Sequence, residues 1–319
     1  MADTARTRRL EAPAEEALHH PRSRGYWADA WHRLLRSPMG VVGLVLVGFM
    51  ALLAVFGPMI APWDYRVQDL DAVRSTGGRP IPPFTLPDHL LGTDNLGRDL
   101  LSRTIDGAQV SMTVALIAQV VVVAIGLPLG ALAGWKGGRT EGLIMRFTDV
   151  MYAFPELLFI VLLTSAVVET PIFHWLNGLF IVFVAIGASA WVTMCRLVRA
   201  QVLSLKQREY VDAARAMGVP GHRIVTRHIL PNAVGPVVVA VSLGLPAAVI
   251  AESTLSFLGL GVQVPRASWG SLIQVGTDQM DRFPWLVLPP LIALAVTLIG
   301  FTLLGDGLRD ALDPRQRKR

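Results

Sequence analysis

Two carboxylates stand in otherwise apolar stretches. Glu156 alone interrupts Val150 to Val168, and Glu252 follows a long uncharged run with Ser253, Thr254 and Ser256 directly after it. A charged side chain at the centre of a membrane costs about 2.5–3.5 kcal/mol on insertion scales, so each must meet water, a protein partner or a cationic ligand. Glu156, Glu252, Ser253 and Ser256 are therefore candidates for lining a pathway. The structural alternative is a hydrogen bond to a packing partner, which for Glu252 would lie in an adjacent subunit. Asp99 and Arg103, four apart, and Arg146 and Asp149, three apart, have the spacing of helical ion pairs. His174 has no second ligand at metal spacing and reads as an interfacial residue. No His pair, Ser/His pairing or carboxylate dyad at a shared depth points to hydrolysis. The sequence GWKGGRT lacks the spacing of a phosphate-binding G-x-x-x-x-G-K-[ST] loop. The chain is thus expected to be non-catalytic and to hold no metal.

The elements that position these groups follow from the charge map. The chain has 319 residues, 52% of them apolar and 17% charged, which is the composition of a membrane protein. Uncharged runs extend from Ser37 to Trp63, Gly107 to Trp135, Thr170 to Cys195, His228 to Ala251 and Phe283 to Gly305. Each is long enough for a span of about 20 residues. With Val150 to Val168 they predict six spans. Of the 29 Lys and Arg residues, 22 fall on the side shared by both termini and 7 on the other. The positive-inside rule then places the termini in the cytoplasm and Asp64 to Asp106 outside. The net charge of +5 is a topological signal, and a nucleic-acid partner is unnecessary to explain it. Met1 to Arg36 is polar, so the first apolar run reads as an anchor rather than a signal peptide. Cys195, the single cysteine, reads as a small packing residue.

Residues 1 to about 25 carry no periodic apolar face and are expected to be disordered. Trp27 and Trp31, four apart among basic residues, suit an interfacial helix over Tyr26 to Arg36. Span two carries Gly126, Gly130 and Gly134 at intervals of four, a stripe for close helix packing, and Pro128 as a kink. Pro246 can break the ladder of span five.

The long polar stretch from Ser204 to Gly235 reads as two short helices. Ser204 and Gln207 form a capping-box pattern, and Gly218 with Pro220 a stop. The second helix runs from about Gly221 to Ile229 and ends before Pro231. Tyr210, Val211, Ala214 and Met217 are assigned to one face of the first helix, and Glu209, Asp212 and Arg215 to the other. Such a helix lies on lipid or docks into a partner's groove.

Asp212-Ala213-Ala214, Gly218 four residues after Ala214, and Ile229-Leu230-Pro231 resemble the "EAA" loop by which membrane subunits of ABC importers dock on a cytoplasmic ATPase. Asp212 stands for the usual Glu, and His228 stands where Ile is usual. Further segments resemble the C-type (DppC/OppC-like) permeases of peptide and nickel importers: WHRLLRSPMGVVGLV with FGPMIAPWD, Leu91 to Asp99 with Ser102-Arg103, Ala251 to Gly261 with Pro265 and Ser268-Trp269-Gly270, and the tail LLGDGLRDALDPR. The resemblance covers Trp31 to Arg315.

The resemblance implies an all-α polytopic membrane protein with six transmembrane helices, the MetI-like type I importer permease fold, and cytoplasmic coupling helices. The expected organisation is a cytoplasmic segment 1–36, a first span 37–63, an extracytoplasmic loop 64–106, a five-helix core 107–306 containing the loop 204–235, and a tail 307–319. Glu209, Asp212, Ala213, Ala214, Gly218, His228, Leu230 and Pro231 are the implied ATPase-coupling residues. The implied partners are a B-type permease, two ATPase subunits that bind ATP and magnesium, and an extracytoplasmic protein delivering peptides or, in some relatives, nickel, all at a bacterial inner membrane. No cofactor is expected in this chain. From a different class, a proton-coupled secondary transporter using Glu156 and Glu252 would show inverted repeats, and the sequence has no convincing internal repeat.

Overall fold

The computed structural model describes residues 26–167, 169–171 and 178–313. His174 and residues 1–25 and 314–319 lie outside these. Among the described residues the secondary structure is helical, with only isolated β-bridges in the loop between residues 64 and 106.

The chain enters through α1 (Tyr26–Arg36), which places Leu34 inward and leaves Trp27 and Trp31 exposed. Ser37 caps α2 (Pro38–Ile60) by accepting from Gly40 N at 3.3 Å. A short α3 (Leu70–Ser75) follows in the expected outer loop. Asp99 then caps α4 (Leu100–Lys136), accepting from Ser102 N, and the helix continues through Pro128 without a break. At 37 residues α4 is about 55 Å long, well beyond a bilayer core.

The stripe of Gly126, Gly130 and Gly134 meets α7 (Leu179–Leu205). A Cβ at Gly126 would fall 2.8 Å from the Trp191 carbonyl, and one at Gly134 would fall 2.9 Å from that of Arg199. At Gly130 a Cβ would collide with the Cys195 carbonyl. The two backbones pack so closely that no larger side chain fits between them. Cys195 itself is fully buried in this contact region, as a packing residue should be.

The third predicted span is two helices, α5 (Gly138–Ala153) and α6 (Glu156–Val167), bent by 87°. The physical reason is Pro155. The residue before a proline is driven out of the helical region, and Phe154 is extended at φ −80, ψ 133. Among the described residues five helices are individually long and apolar enough to cross a membrane, and the bent pair counted as one span makes six. Arg146 does not pair with Asp149. Asp149 instead meets Arg196 of α7 at 2.7 Å, and Arg196 also lies over the Tyr152 ring.

After the loop helix α8 (Glu209–Ala216), the chain runs as one 37-residue helical stretch from Gly221 to Phe257. It consists of α9 (Gly221–Ile224), a π-turn over Val225–Ile229, and α10 (Leu230–Phe257). Pro231 therefore does not end the second loop helix as predicted. The wider π-turn, with Leu230 N bonded to Val225 O, relieves the crowding that a proline ring imposes on the carbonyl one turn back. Pro246 likewise stays within α10. The chain closes with α11 (Trp269–Thr277), capped by Ser268, and α12 (Leu288–Leu312), which packs along α2.

Candidate functional site

Three regions carry the candidate residues. The first is the loop helix. Its predicted start at Ser204 is wrong, because α7 runs on to Leu205 and α8 begins after Arg208. Its end is as expected. Gly218 is left-handed at φ +75, Gly218 N bonds to Arg215 O and Val219 N to Ala214 O, which is a complete Schellman closure. The predicted faces need correction. Val211 and Ala214 are buried against Val198, Val202, Ile224 and Ile229, whereas Tyr210 and Met217 are exposed. A 100° rotation per residue places 211 and 214 together and leaves 210 and 217 at the rim of that face.

Ala214 therefore packs inward, while Ala213 points outward beside Glu209 and Asp212. Asp212 makes an exposed pair with Arg215 at 3.0 Å, worth little energetically. Trp135, at the end of α4, clamps the loop. Lys206 and Arg215 both lie over its ring, and Lys206 Nζ donates to its carbonyl at 2.7 Å. His228, Leu230 and Pro231 sit in and just after the π-turn, so they connect the loop to α10.

The second region is Glu252. It is completely buried, and its carboxylate accepts from Ser256 Oγ at 2.7 Å, Ser111 Oγ at 2.9 Å and Ser253 Oγ at 3.4 Å. Glu252, Ser253 and Ser256, expected to face a pathway, line none of the described cavities, and the serines that donate to Glu252 belong to this chain. Gly270 is packed so closely on Ser253 that its Cβ would fall 2.6 Å from Ser253 Cα, which locks α11 over the carboxylate.

The third region is a cavity of about 720 Å³ at the α5–α6 bend, walled also by α4, α7 and α10. Glu156, Gln119, Ser189 and Thr193 are its main polar lining groups. Ser189 Oγ lies 3.2 Å from Glu156 Oε1 and 2.9 Å from the Ile186 carbonyl, so one hydroxyl proton is shared between them. A second cavity of about 790 Å³, lined by Gln201, Pro231, Asn232 and Arg309, shares Leu197, Ala240 and Leu243 with the first. The two adjoin, and together they run from the bend towards the loop. Gln119 escaped the sequence reading although a lone amide in an apolar span was a visible signal. Ser111 and Ser189 gave no signal, since single serines are ordinary in spans.

The polar loop before α4 turns several of its charged groups inward. Asp99 does not pair with Arg103; it accepts from Ser102 Oγ at 2.7 Å and faces His89 Nδ1 at 3.0 Å. Arg103 instead lies 3.5 Å from Asp94, which is held by Arg98 at 2.8 Å. His89, stacked on Trp63, and all four charged groups are buried within this chain.

Comparison with known proteins agrees with this architecture. Residues 126–318 match the family model for the binding-protein-dependent transport system inner membrane component, and residues 25–83 match that for the N-terminal transmembrane domain of oligopeptide transport permease C. The chain is 40% identical to the oligopeptide transport system permease protein OppC of Haemophilus influenzae, over 92% of this chain and 90% of that protein. It is 39% identical to the dipeptide transport system permease protein DppC of Bacillus subtilis, over 93% and 88% respectively. A chain from the inward-facing MetNI methionine ABC transporter superposes with a TM-score of 0.52 at 17% identity, covering 66% of this chain and 96% of that one, which shows a shared fold. The chain thus belongs to the binding-protein-dependent transport permeases, as a non-catalytic OppC/DppC-like ABC transporter permease subunit.

Proposed function

We propose that this chain forms half of the translocation pathway of a peptide importer and transmits the ATPase stroke through α8. It works with a second, B-type permease, two ATPase subunits that hold ATP and magnesium, and an extracytoplasmic peptide-binding protein. Both termini face the cytoplasm of a bacterial inner membrane. The observation that carries the reading is the two-sided loop helix: Val211 and Ala214 root it in the span bundle, while Tyr210, Ala213 and Met217 leave an unpartnered face. A helix fixed on one side and open on the other suits docking in a partner's groove. Glu209, Asp212 and Gly218 complete that outer surface, and His228, Leu230 and Pro231 join it to α10. The adjoining cavities, with Glu156 at the deeper end, are this chain's share of the pathway.

The test uses Ala213→Trp, which adds bulk only on the open face. The purified variant should keep its fold and its partner permease but retain less ATPase and lose coupled uptake in vesicles. Full retention of the ATPase subunits with wild-type coupling would remove α8 from the docking role.

A further inference from the structure

Glu156 differs from the two paired carboxylates of α5. Glu141 is paired with Arg199, and Asp149 with Arg196. Among the described residues no cation lies within ion-pair distance of Glu156, and the shared Ser189 hydroxyl is its hydrogen-bond partner. Gln119, on α4, is only 6% exposed and lines the same cavity, with no hydrogen bond from its amide to any described residue. That amide is held in place from behind, since a Cβ at Gly244 would fall 2.7 Å from its oxygen. A carboxylate without a cation and a fixed amide without a partner therefore face one chamber whose other walls include Val122, Phe159 and Ala248. The exposed carboxylate is open to whatever enters the chamber, and the buried amide is costly to leave unpaired unless an occupant meets it.

We propose that this chamber binds the protonated amino terminus of a peptide in transit, with Glu156 taking the ammonium group and Gln119 the first peptide bond. This rests on the pathway reading above. The occupant is an organic cation because a single carboxylate beside a hydroxyl and an amide is a poor donor set for a divalent metal, which takes four to eight ligands. Its volume lies within the ~300–1,000 Å³ of small-molecule sites. An amine and an amide are common to every unblocked peptide, and the apolar walls contact side chains without a directional bond. The chamber thus selects for a peptide's end and tolerates its sequence.

The experiment uses the assembled transporter in nanodiscs, without the binding protein, carrying a fluorophore on Thr193→Cys. Cys195 is fully buried and stays unlabelled. Trialanine and N-acetyl-trialanine are titrated with and without ATP. With Glu156 intact, trialanine should act at roughly tenfold lower concentration, the worth of one charge-assisted hydrogen bond. In Glu156→Gln the two midpoints should coincide. In Gln119→Leu both should rise together with their ratio kept. Equal midpoints with Glu156 present, a preference surviving in Glu156→Gln, or a ratio lost in Gln119→Leu would each overturn the assignment. A fluorophore silent to both peptides in every state would instead overturn the pathway reading on which it rests.

Discussion

Glu252 and Glu156 look alike in the sequence, yet their surroundings differ in every respect that matters. Glu252 lies in a continuous helix, has no exposed surface and accepts from three serines, one of them 141 positions away on α4. Glu156 lies just after a break, is exposed to a chamber, and shares one hydroxyl with a backbone carbonyl. A carboxylate whose acceptor capacity is filled by its own chain stabilises packing. One whose capacity is left open is available to a ligand. Burial and hydrogen-bond supply, rather than residue type or hydropathy, separate the two roles.

The comparison breaks most readily at Glu252→Ala. Removing the carboxylate leaves the Ser111 and Ser256 hydroxyls without their acceptor and opens a void, so stability should fall by about 3 kcal/mol. Thermal unfolding of the solubilised complex reads this, and an unchanged transition would erase the distinction. Glu156→Gln should leave that transition within about 0.5 kcal/mol of wild type. Uptake into vesicles, however, should drop about tenfold, or 1.4 kcal/mol in transition-state terms. Ser111→Ala removes one donor from the buried carboxylate and should destabilise by about 1 kcal/mol. Ser189→Ala is the smallest change. Its hydroxyl already has the Ile186 carbonyl, so stability should move by less than about 0.5 kcal/mol.

The number of spans and the backbone approach at Gly126, Gly130 and Gly134 were legible because both are written in local composition and spacing. The left-handed end of α8 was legible for the same reason, since Gly218 is the residue type that such a closure favours. The bend at Phe154-Pro155 was half legible: a proline inside an apolar run is a visible break signal, but an 87° turn requires knowing what α6 packs against. The inward face of α8 was misassigned because an eight-residue helix gives too few turns to fix its rotation. The partner of Glu252 could not be read at all. Ser111 is a serine among apolar residues, brought to it only by tertiary packing of α4 on α10. The loop from Asp64 to Asp99 misled most. Polar residues in a polar run look solvated, and only the fold shows His89, Asp99 and Arg103 turned inward.

The uninterrupted helical stretch from Gly221 to Phe257 has a mechanical consequence. At 37 residues it is about 55 Å long, a single strut with the π-turn near one end and Glu252 near the other. Tilting a strut about its middle moves its two tips in opposite directions, so a thrust at the Gly221 end swings the Glu252 end the other way. Because Ser111 ties that far end to α4 and Trp135 holds the near end to the same helix, both tips bear on one neighbour. A displacement of the Gly221 end is therefore borne by α4 at both ends of the strut, and α4 is in turn held against α7 along its closely packed glycine stripe.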